Sequence, residues 1–539
     1  MINKPEVNRE EDGSVSWENV FEDFEVRVYK PLYNEEEKTL NYGFVSPYLI
    51  VFEEEKRTLD EAVEYAKNMG LSSIASRTFS SVISVYPTCS GGWKNAPADI
   101  FEKIISQSKI CQYYEDAMAV MRDRFTGEWG EYYIRGAVLR TFLYGKGKSA
   151  DYIASNCLKT VYGDGLYGKG DITPVVCVLE GLNVMPEPER RDIPVVSIGN
   201  SDEINDILRR ELDYTLIKEY ADCEKDYDDF GKNFRRMVGY LEIEDDFDKI
   251  GMVREPGIHV VTTSPDNRGD DSDTKTHKVG YFAFYNKKIK SDGKKVPLML
   301  CFHGGGDSAI CMATLSGWYK IAHENNFLLV AVENHLNSTA TEMMELIEHL
   351  KDRYPVDTEK IYSTGFSMGG CKSWDMYQEY PEVFAGVAPM DATYDVGLNS
   401  YGKEIGTYNT SIIVPVFYAG GEETPLPELP FQEIKCLNRM KYVLEVNNCV
   451  TKNEVEFESQ DVWPNIIWGI DGDFIEKDID VTRDNAVLTM NYFKSEDGEC
   501  YSVFASISGQ EHEVRHHTCD HAWKFLKKFR RKNGAICIE

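Results

Sequence analysis

Short apolar runs alternate with amphipathic stretches along most of this chain. In the C-terminal half, residues 257–262 and 279–285 read as opening strands, followed by Val296-Pro297-Leu298-Met299-Leu300 and by 327–332, with a helix over 311–323 between them. Beyond Thr341, the residues Met343, Leu346, Ile347 and Leu350 recur on one helical face, and Thr339 with Glu342 has the spacing of a capping box. Further strands are predicted at 360–364, 384–390, 414–419 and 501–507, and Ala522, Phe525, Leu526 and Phe529 repeat at helical spacing near the end. This alternation predicts an α/β, doubly wound and mainly parallel sheet, whose ligands bind beyond the C-terminal ends of its strands.

Two glycine-rich turns fall at such strand ends. Gly365-Phe366-Ser367-Met368-Gly369-Gly370 follows the strand at 360–364 and enters a helix, the arrangement of a nucleophile elbow. A serine at the tip of so sharp a turn needs small neighbours two residues away on each side, and Gly365 and Gly369 supply them. Upstream, Cys301-Phe302-His303-Gly304-Gly305-Gly306 closes another apolar run; glycines there let backbone N–H groups face a cavity, as an oxyanion hole requires. Gly305, Gly306 and the N–H of Met368 are the candidate oxyanion donors, and His303 and Phe366 the candidate substrate contacts beside them.

With these motifs, residues 251–539 resemble an α/β-hydrolase, and the two turns resemble those of feruloyl esterases and polyhydroxybutyrate depolymerases. The resemblance implies a triad in the chain order serine, acid, histidine. Ser367 is then the nucleophile. The histidines that follow are His512, His516, His517 and His521. His512, on the loop after the last strand, is the expected base; His516 and His517 are reserves, and His521 reads as a helix-face residue. By its distance from the strand at 414–419, Glu423 matches the family's usual acid position, with Glu422 as runner-up; Asp391 lies one strand earlier and reads as a cap or substrate-side group.

The N-terminal half repeats the order of elements. Strands at 46–52 and 81–86, a helix from Thr58 and helical residues 97–124 lead to 132–140, where Gly136 to Arg140 takes the place of the elbow without a serine. Strands at 174–179 and 194–200 follow. Residues 1–220 are therefore expected to form an α/β accessory domain, either a degenerate hydrolase-like copy or an unrelated unit. Residues 221–250 read as an acidic, helical linker. An insertion over about 425–497 is expected to form a cap, its Trp463 and Trp468 lining an acyl pocket or the cap's own core.

Composition narrows the partners. A net charge of -31 and a pI near 4.8 disfavour nucleic-acid phosphates and anionic membranes, so neither partner is expected. No apolar leader or spanning segment is evident, which predicts a cytoplasmic protein. The thirteen cysteines are scattered without zinc-type spacing, and free thiols are expected. Neither metal nor cofactor is expected. Asp266 to Asp273 lacks an EF-hand pattern and reads as a solvated loop. The leading expectation is a serine hydrolase of carboxylic esters, small or oligomeric, in a chain that could assemble as a homo-oligomer. A peptidase or acyltransferase with the same triad, and a binding protein keeping a relic site, are the alternatives.

Overall fold

The computed structural model describes residues 6–32, 47–78, 80–107, 134, 136–165, 168–237, 240–243, 245–262, 276–305, 307–333, 335, 338–451 and 455–539. The acidic loop 266–273 and the stretch 108–124 of the expected helical region lie outside them. The chain divides into two compact units, Met1–Asp246 and Phe247–Glu539.

In the first unit, β1 (Val7–Arg9), β2 (Val15–Val20), β3 (Phe24–Lys30), β4 (Pro47–Phe52), β5 (Val82–Pro87), β6 (Ala137–Lys146), β7 (Val176–Glu180), β8 (Val195–Ile198) and β9 (Thr215–Lys218) form one nine-stranded sheet in the order 1-2-3-5-4-6-7-8-9. The pairs from β1 to β5 through β3 are antiparallel, and β5-β4-β6-β7-β8-β9 are parallel. Apolar clusters cover the sheet on both sides, as a parallel sheet requires.

Of the segment expected as a linker, 221–250, the part up to Asp246 belongs to this unit and the helix Phe247–Ile250 to the second. The helix Cys223–Asp229 buries Cys223 and Tyr227, which pack with Phe234 in a first-unit core cluster, so its aromatic residues serve packing rather than linkage. The turn expected at Gly136 to Arg140 is also displaced. Those residues precede or open β6, which runs on to Lys146, and the sharp turn into the next helix comes at Gly147.

In the second unit, β10 (Met252–Thr262), β11 (Thr276–Asn286), β12 (Val296–Phe302), β13 (Leu328–Val332), β14 (Val356–Phe366), β15 (Gly386–Met390), β16 (Val416–Gly421), β17 (Phe474–Asp480), β18 (Ala486–Lys494) and β19 (Cys500–Ile507) form a ten-stranded sheet in the order 10-11-13-12-14-15-16-19-18-17. Strands β13-β12-β14-β15-β16-β19 are parallel. Starting from β2 in one unit and β10 in the other, both sheets follow one path through seven strands: first, second, fourth, third, then fifth to seventh; a parallel strand follows in each, the eighth (β9) in the first unit and the tenth (β19) in the second. In both, the pair formed by the third and fifth of these strands carries a register shift at its start, at Pro47/Tyr48 and at Val296/Leu298. The interior strands are buried almost throughout because helices cover both faces. The capping box of Thr339 and Glu342 is complete, and Met343, Leu346, Ile347 and Leu350 face the core as their spacing predicts.

The insertion is not a separate cap. Its helix Ile434–Val446 buries Leu437, Met440 and Val443 in the main core, and β17 and β18 extend the sheet antiparallel beyond β19. Trp468 is 1 % exposed and packs against Tyr418 and Phe504, with ring centroids 6.1 and 5.4 Å away. Trp463 shares that core and donates its indole N–H to the Glu456 carbonyl at 2.9 Å. Both tryptophans, expected at an acyl pocket or in a cap core, are buried in the domain core, which the apolar insertion pattern serves. No helix among the described residues is long and apolar enough to cross a membrane.

Candidate active site

β14 ends at Phe366, and the helix Met368–Glu379 starts one residue later, so Ser367 carries the whole reversal. Its backbone sits at φ 54°, ψ −121°, a conformation that strains a residue with a Cβ. The Ser367 N–H donates to the Met390 carbonyl at 3.0 Å and fixes the tip against β15. The glycines around it are sterically obligatory. A Cβ on Gly365 would lie 2.2 Å from the Gly369 carbonyl oxygen, and one on Gly369 would lie 2.1 Å from the Phe302 carbonyl oxygen. Helix propensity alone would favour Gly369→Ala by about 1 kcal/mol, but that clash is against backbone and should outweigh it by about 3 kcal/mol. The variant is expected to melt well below the wild type in a thermal scan; an unchanged melting temperature would contradict the packing of Gly369 against Phe302.

The first unit holds the same turn without the serine. Gly147 sits at φ 54°, ψ −119° between β6 and the helix Lys148–Asn156, and its N–H donates to the Glu180 carbonyl at 2.9 Å. Glycine removes the strain, but also the reactive atom. A Cβ there would lie 2.1 Å from Glu54 Oε1, so the neighbouring carboxylate occupies the space a side chain would need.

Around Ser367, the loop after β12 lies close. A Cβ on Gly304 would be 3.1 Å from Phe366 Cδ1 and 3.6 Å from Ser367 Cβ. Gly305 is in the turn at the end of this loop, and Gly306 lies outside the described residues. Met368 is the first helical residue, and helix geometry leaves its N–H without an intrahelical acceptor beside the serine. His303 is 3 % exposed, with Nδ1 facing the Gly304 carbonyl at 2.7 Å and Nε2 facing the Glu333 carbonyl at 2.8 Å. It therefore braces the loop at the position expected for a substrate contact. Phe366 is likewise buried; its ring lies 4.7 Å from that of His512.

That contact brings His512 to the elbow. His512 is buried on the loop after β19, and burial holds its imidazole down to about 4, so the neutral form persists far below the ordinary 6.5. The Thr424 hydroxyl meets His512 Nδ1 at 3.4 Å. The expected acids are placed differently. Glu423 is exposed and its backbone N–H donates to the Gln510 carbonyl at 2.9 Å, while the Glu422 carboxylate accepts from Ser506 Oγ at 2.8 Å. Asp391 is buried at φ 43°, and its Oδ1 accepts the Gly421 N–H at 2.8 Å; burial, with the Glu513 charge, holds its carboxyl well above the usual carboxylate range. It joins the acid loop to β15. Thr424 was missed because a lone threonine after two glutamates carries no sequence signal of its own.

The other histidines are not brought to the serine. His516 packs on Gly317, where a Cβ would lie 2.4 Å from its ring. His517 and His521 both face Asp478 on β17.

No family model matches the chain. It is similar to poly(3-hydroxyalkanoate) depolymerase C of Paucimonas lemoignei, 26% identical over 113 residues, which is 17% of this chain and 27% of that protein. It is also similar to a bifunctional acetylxylan esterase/xylanase of Neocallimastix patriciarum, 22% identical over 148 residues, 26% of this chain and 20% of the relative. The chain thus matches about a quarter of the length of these curated relatives. Among solved structures, acetyl xylan esterase from Aspergillus awamori aligns with TM-score 0.32 and 12% identity over 50% of this chain and 99% of that one. A ferulic acid esterase aligns with TM-score 0.27 and 14% identity over 36% of this chain and 87% of its own. The sheet is of the α/β-hydrolase kind, and over part of its length the chain is esterase-like.

Proposed function

We propose that the second unit is a serine hydrolase that cleaves carboxylic esters through an acyl-enzyme. The observation that carries this reading is the strained Ser367 at the strand-to-helix tip, with the base His512 held against its neighbour Phe366. Ser367 attacks the acyl carbonyl while His512 takes its proton and gives it to the leaving alcohol; in deacylation His512 takes a proton from the water that attacks the acyl-enzyme and returns it to Ser367 as the acid departs. The N–H of Met368 and those of the Gly305 turn receive the oxyanion; such a donor is typically worth about 3 kcal/mol of transition-state stabilisation. The two curated relatives act, by their names, on a poly(3-hydroxyalkanoate) and on acetylxylan. Both are ester substrates, which favours an esterase over a peptidase or acyltransferase.

In this reading the 422–424 loop orients the base, with the Thr424 hydroxyl accepting from Nδ1–H. A hydroxyl fixes the tautomer but brings no negative charge, in keeping with the low value of His512. Kinetics of Thr424→Val and Glu423→Gln on p-nitrophenyl acetate test this choice. We expect the threonine change to lower kcat by about tenfold to a hundredfold and the glutamine change by less than about tenfold. A loss of about a thousandfold in Glu423→Gln would instead assign the acid to Glu423, as the family resemblance implies.

The first unit, in the same reading, is a second copy of the fold without its chemistry. Its support is the shared strand path and the matching backbone angles of Gly147 and Ser367. Hydrolysis of a panel of acetyl, longer acyl and hydroxycinnamoyl esters by the full chain tests the proposed activity. Turnover of at least one class is expected, and a folded chain inert on every ester would contradict the reading.

A further inference from the structure

Away from the elbow, β17 and the last long helix bring three metal-ligating side chains to one point. His517 and His521 stand four residues apart on the helix His516–Leu526, so both rings project from one face. Their centroids are 5.0 Å apart. Opposite them, Asp478 lies on β17, the outer strand of the sheet. Its Oδ2 is 3.1 Å from His517 Nε2 and 2.8 Å from His521 Nε2, and one ligand atom of each residue lies within 4.8 Å of the other two. The Ile479 N–H donates to Asp478 Oδ1 at 2.9 Å, which orients the carboxylate and leaves Oδ2 turned to the imidazoles.

We infer that Asp478, His517 and His521 form a binding site for a divalent transition-metal ion of the zinc type. Two imidazole nitrogens and one carboxylate oxygen are the donor set that borderline ions prefer, whereas magnesium and calcium seek oxygen alone. In a tetrahedral zinc site with ligand bonds of about 2.0–2.1 Å, neighbouring ligand atoms stand about 3.4 Å apart. The separations of the carboxylate from the two imidazoles need to open by only a few tenths of an ångström to admit the ion. Asp478 is half exposed, with side-chain exposure of 53%, so water has access to the remaining coordination position. The fixed spacing on a formed helix preorganises two ligands, and the third comes from a strand that otherwise ends the sheet.

The site would staple β17 to the helix that starts just beyond the loop of His512. An ion there ties the outer hairpin of the insertion to the segment that carries the base, and its occupancy raises the stability of the second unit. This inference is independent of the esterase reading: it concerns surface ligands that touch neither Ser367 nor His512. The bland alternative is an ordinary histidine–aspartate ion pair, which holds the same atoms together with a proton in place of a metal.

Titration calorimetry of the full chain with zinc chloride, after stripping with EDTA, decides between them. We expect one saturable site with a dissociation constant in the micromolar range and an upward shift of the second-unit transition by about 5 °C at saturating zinc. In His517→Ala/His521→Ala, that site should weaken by more than about tenfold and the shift should vanish, while the EDTA-treated protein melts as the wild type does. Asp478→Asn, which keeps both imidazoles, should weaken binding as well. Cobalt(II) gives a second readout: tetrahedral-type visible absorption in the wild type, lost in the double variant. Binding of equal stoichiometry and affinity in wild type and double variant would place the ion elsewhere, among the cysteines for example, and overturn the inference. Absence of saturable binding to the wild type would do the same and leave only the ion pair. If the double variant does not fold, the single changes His517→Gln and Asp478→Asn carry the same comparison.

Discussion

Replacing Ser367 by alanine is expected to reduce ester turnover by at least about ten-thousandfold while the melting temperature stays at or slightly above that of the wild type. The kinetic loss follows from removing the one atom that can form the acyl-enzyme. The thermal result follows from the backbone: at φ 54°, ψ −121° the side chain adds strain and only the hydroxyl leaves. Ser367→Gly sharpens the argument. Glycine accepts this conformation without penalty, so that variant should gain about 1 kcal/mol over the wild type in denaturant unfolding while remaining inactive. The first unit already carries glycine in the same conformation at Gly147. Activity retained in Ser367→Ala, or marked destabilisation, would separate the strained turn from the chemistry assigned to it.

The second large effect concerns the base. His512→Ala should lower kcat by about ten-thousandfold, because the serine hydroxyl is then deprotonated by solvent alone. His516→Ala should leave turnover near that of the wild type, since its ring lies on Gly317. The pH profile adds a direction. Burial favours neutral His512, so the acidic limb of kcat/KM should fall near pH 4 instead of 6.5. The same shift links to stability. Between about 4 and 6.5 the unfolded chain binds a proton at this site that the folded chain does not, so stability rises with pH through that window and the advantage is lost as pH falls through about 4. A limb near 7 would mean that a carboxylate supports the imidazole in the working enzyme, and would return the acid to Glu423.

How far the sequence carried these conclusions depended on whether a feature is local. The elbow was legible because its glycines answer a steric demand within five residues, and the structure gives the contacts that demand implies: Gly365 against Gly369, and Gly369 against Phe302. The parallel core strands were legible because covering both faces forces continuous apolar runs. His512 could be singled out by its position after the last strand. Its surroundings could not, because Thr424 and Phe366 reach it only through the ends of separate strands.

Apolar content misled in the insertion. Trp463 and Trp468 look the same in sequence whether they line a pocket or fill a core, and only packing with residues distant in the chain, Tyr418 and Phe504 against Trp468, puts them in the core cluster. The linker failed for a related reason: Cys223 and Tyr227 sit among acidic residues, yet their few apolar side chains are enough to dock a short helix. In the first unit the fold order was legible, but its turn was misplaced. β6 continues past Arg140 to Lys146, and Gly145 and Gly147 mark the reversal in a sequence without the serine that drew attention to the other elbow. The triple of Asp478, His517 and His521 was invisible because its two parts belong to elements far apart in the chain.

The central claim, that Ser367 is an activated nucleophile, is tested most directly by treating the full chain with a fluorophosphonate, measuring the intact mass and mapping the adduct by peptide sequencing. The account predicts one adduct per chain, on the peptide containing Ser367, absent from Ser367→Ala and strongly slowed in His512→Ala. A folded chain that takes up no label, or an adduct on another residue, including any in residues 1–246, would contradict it.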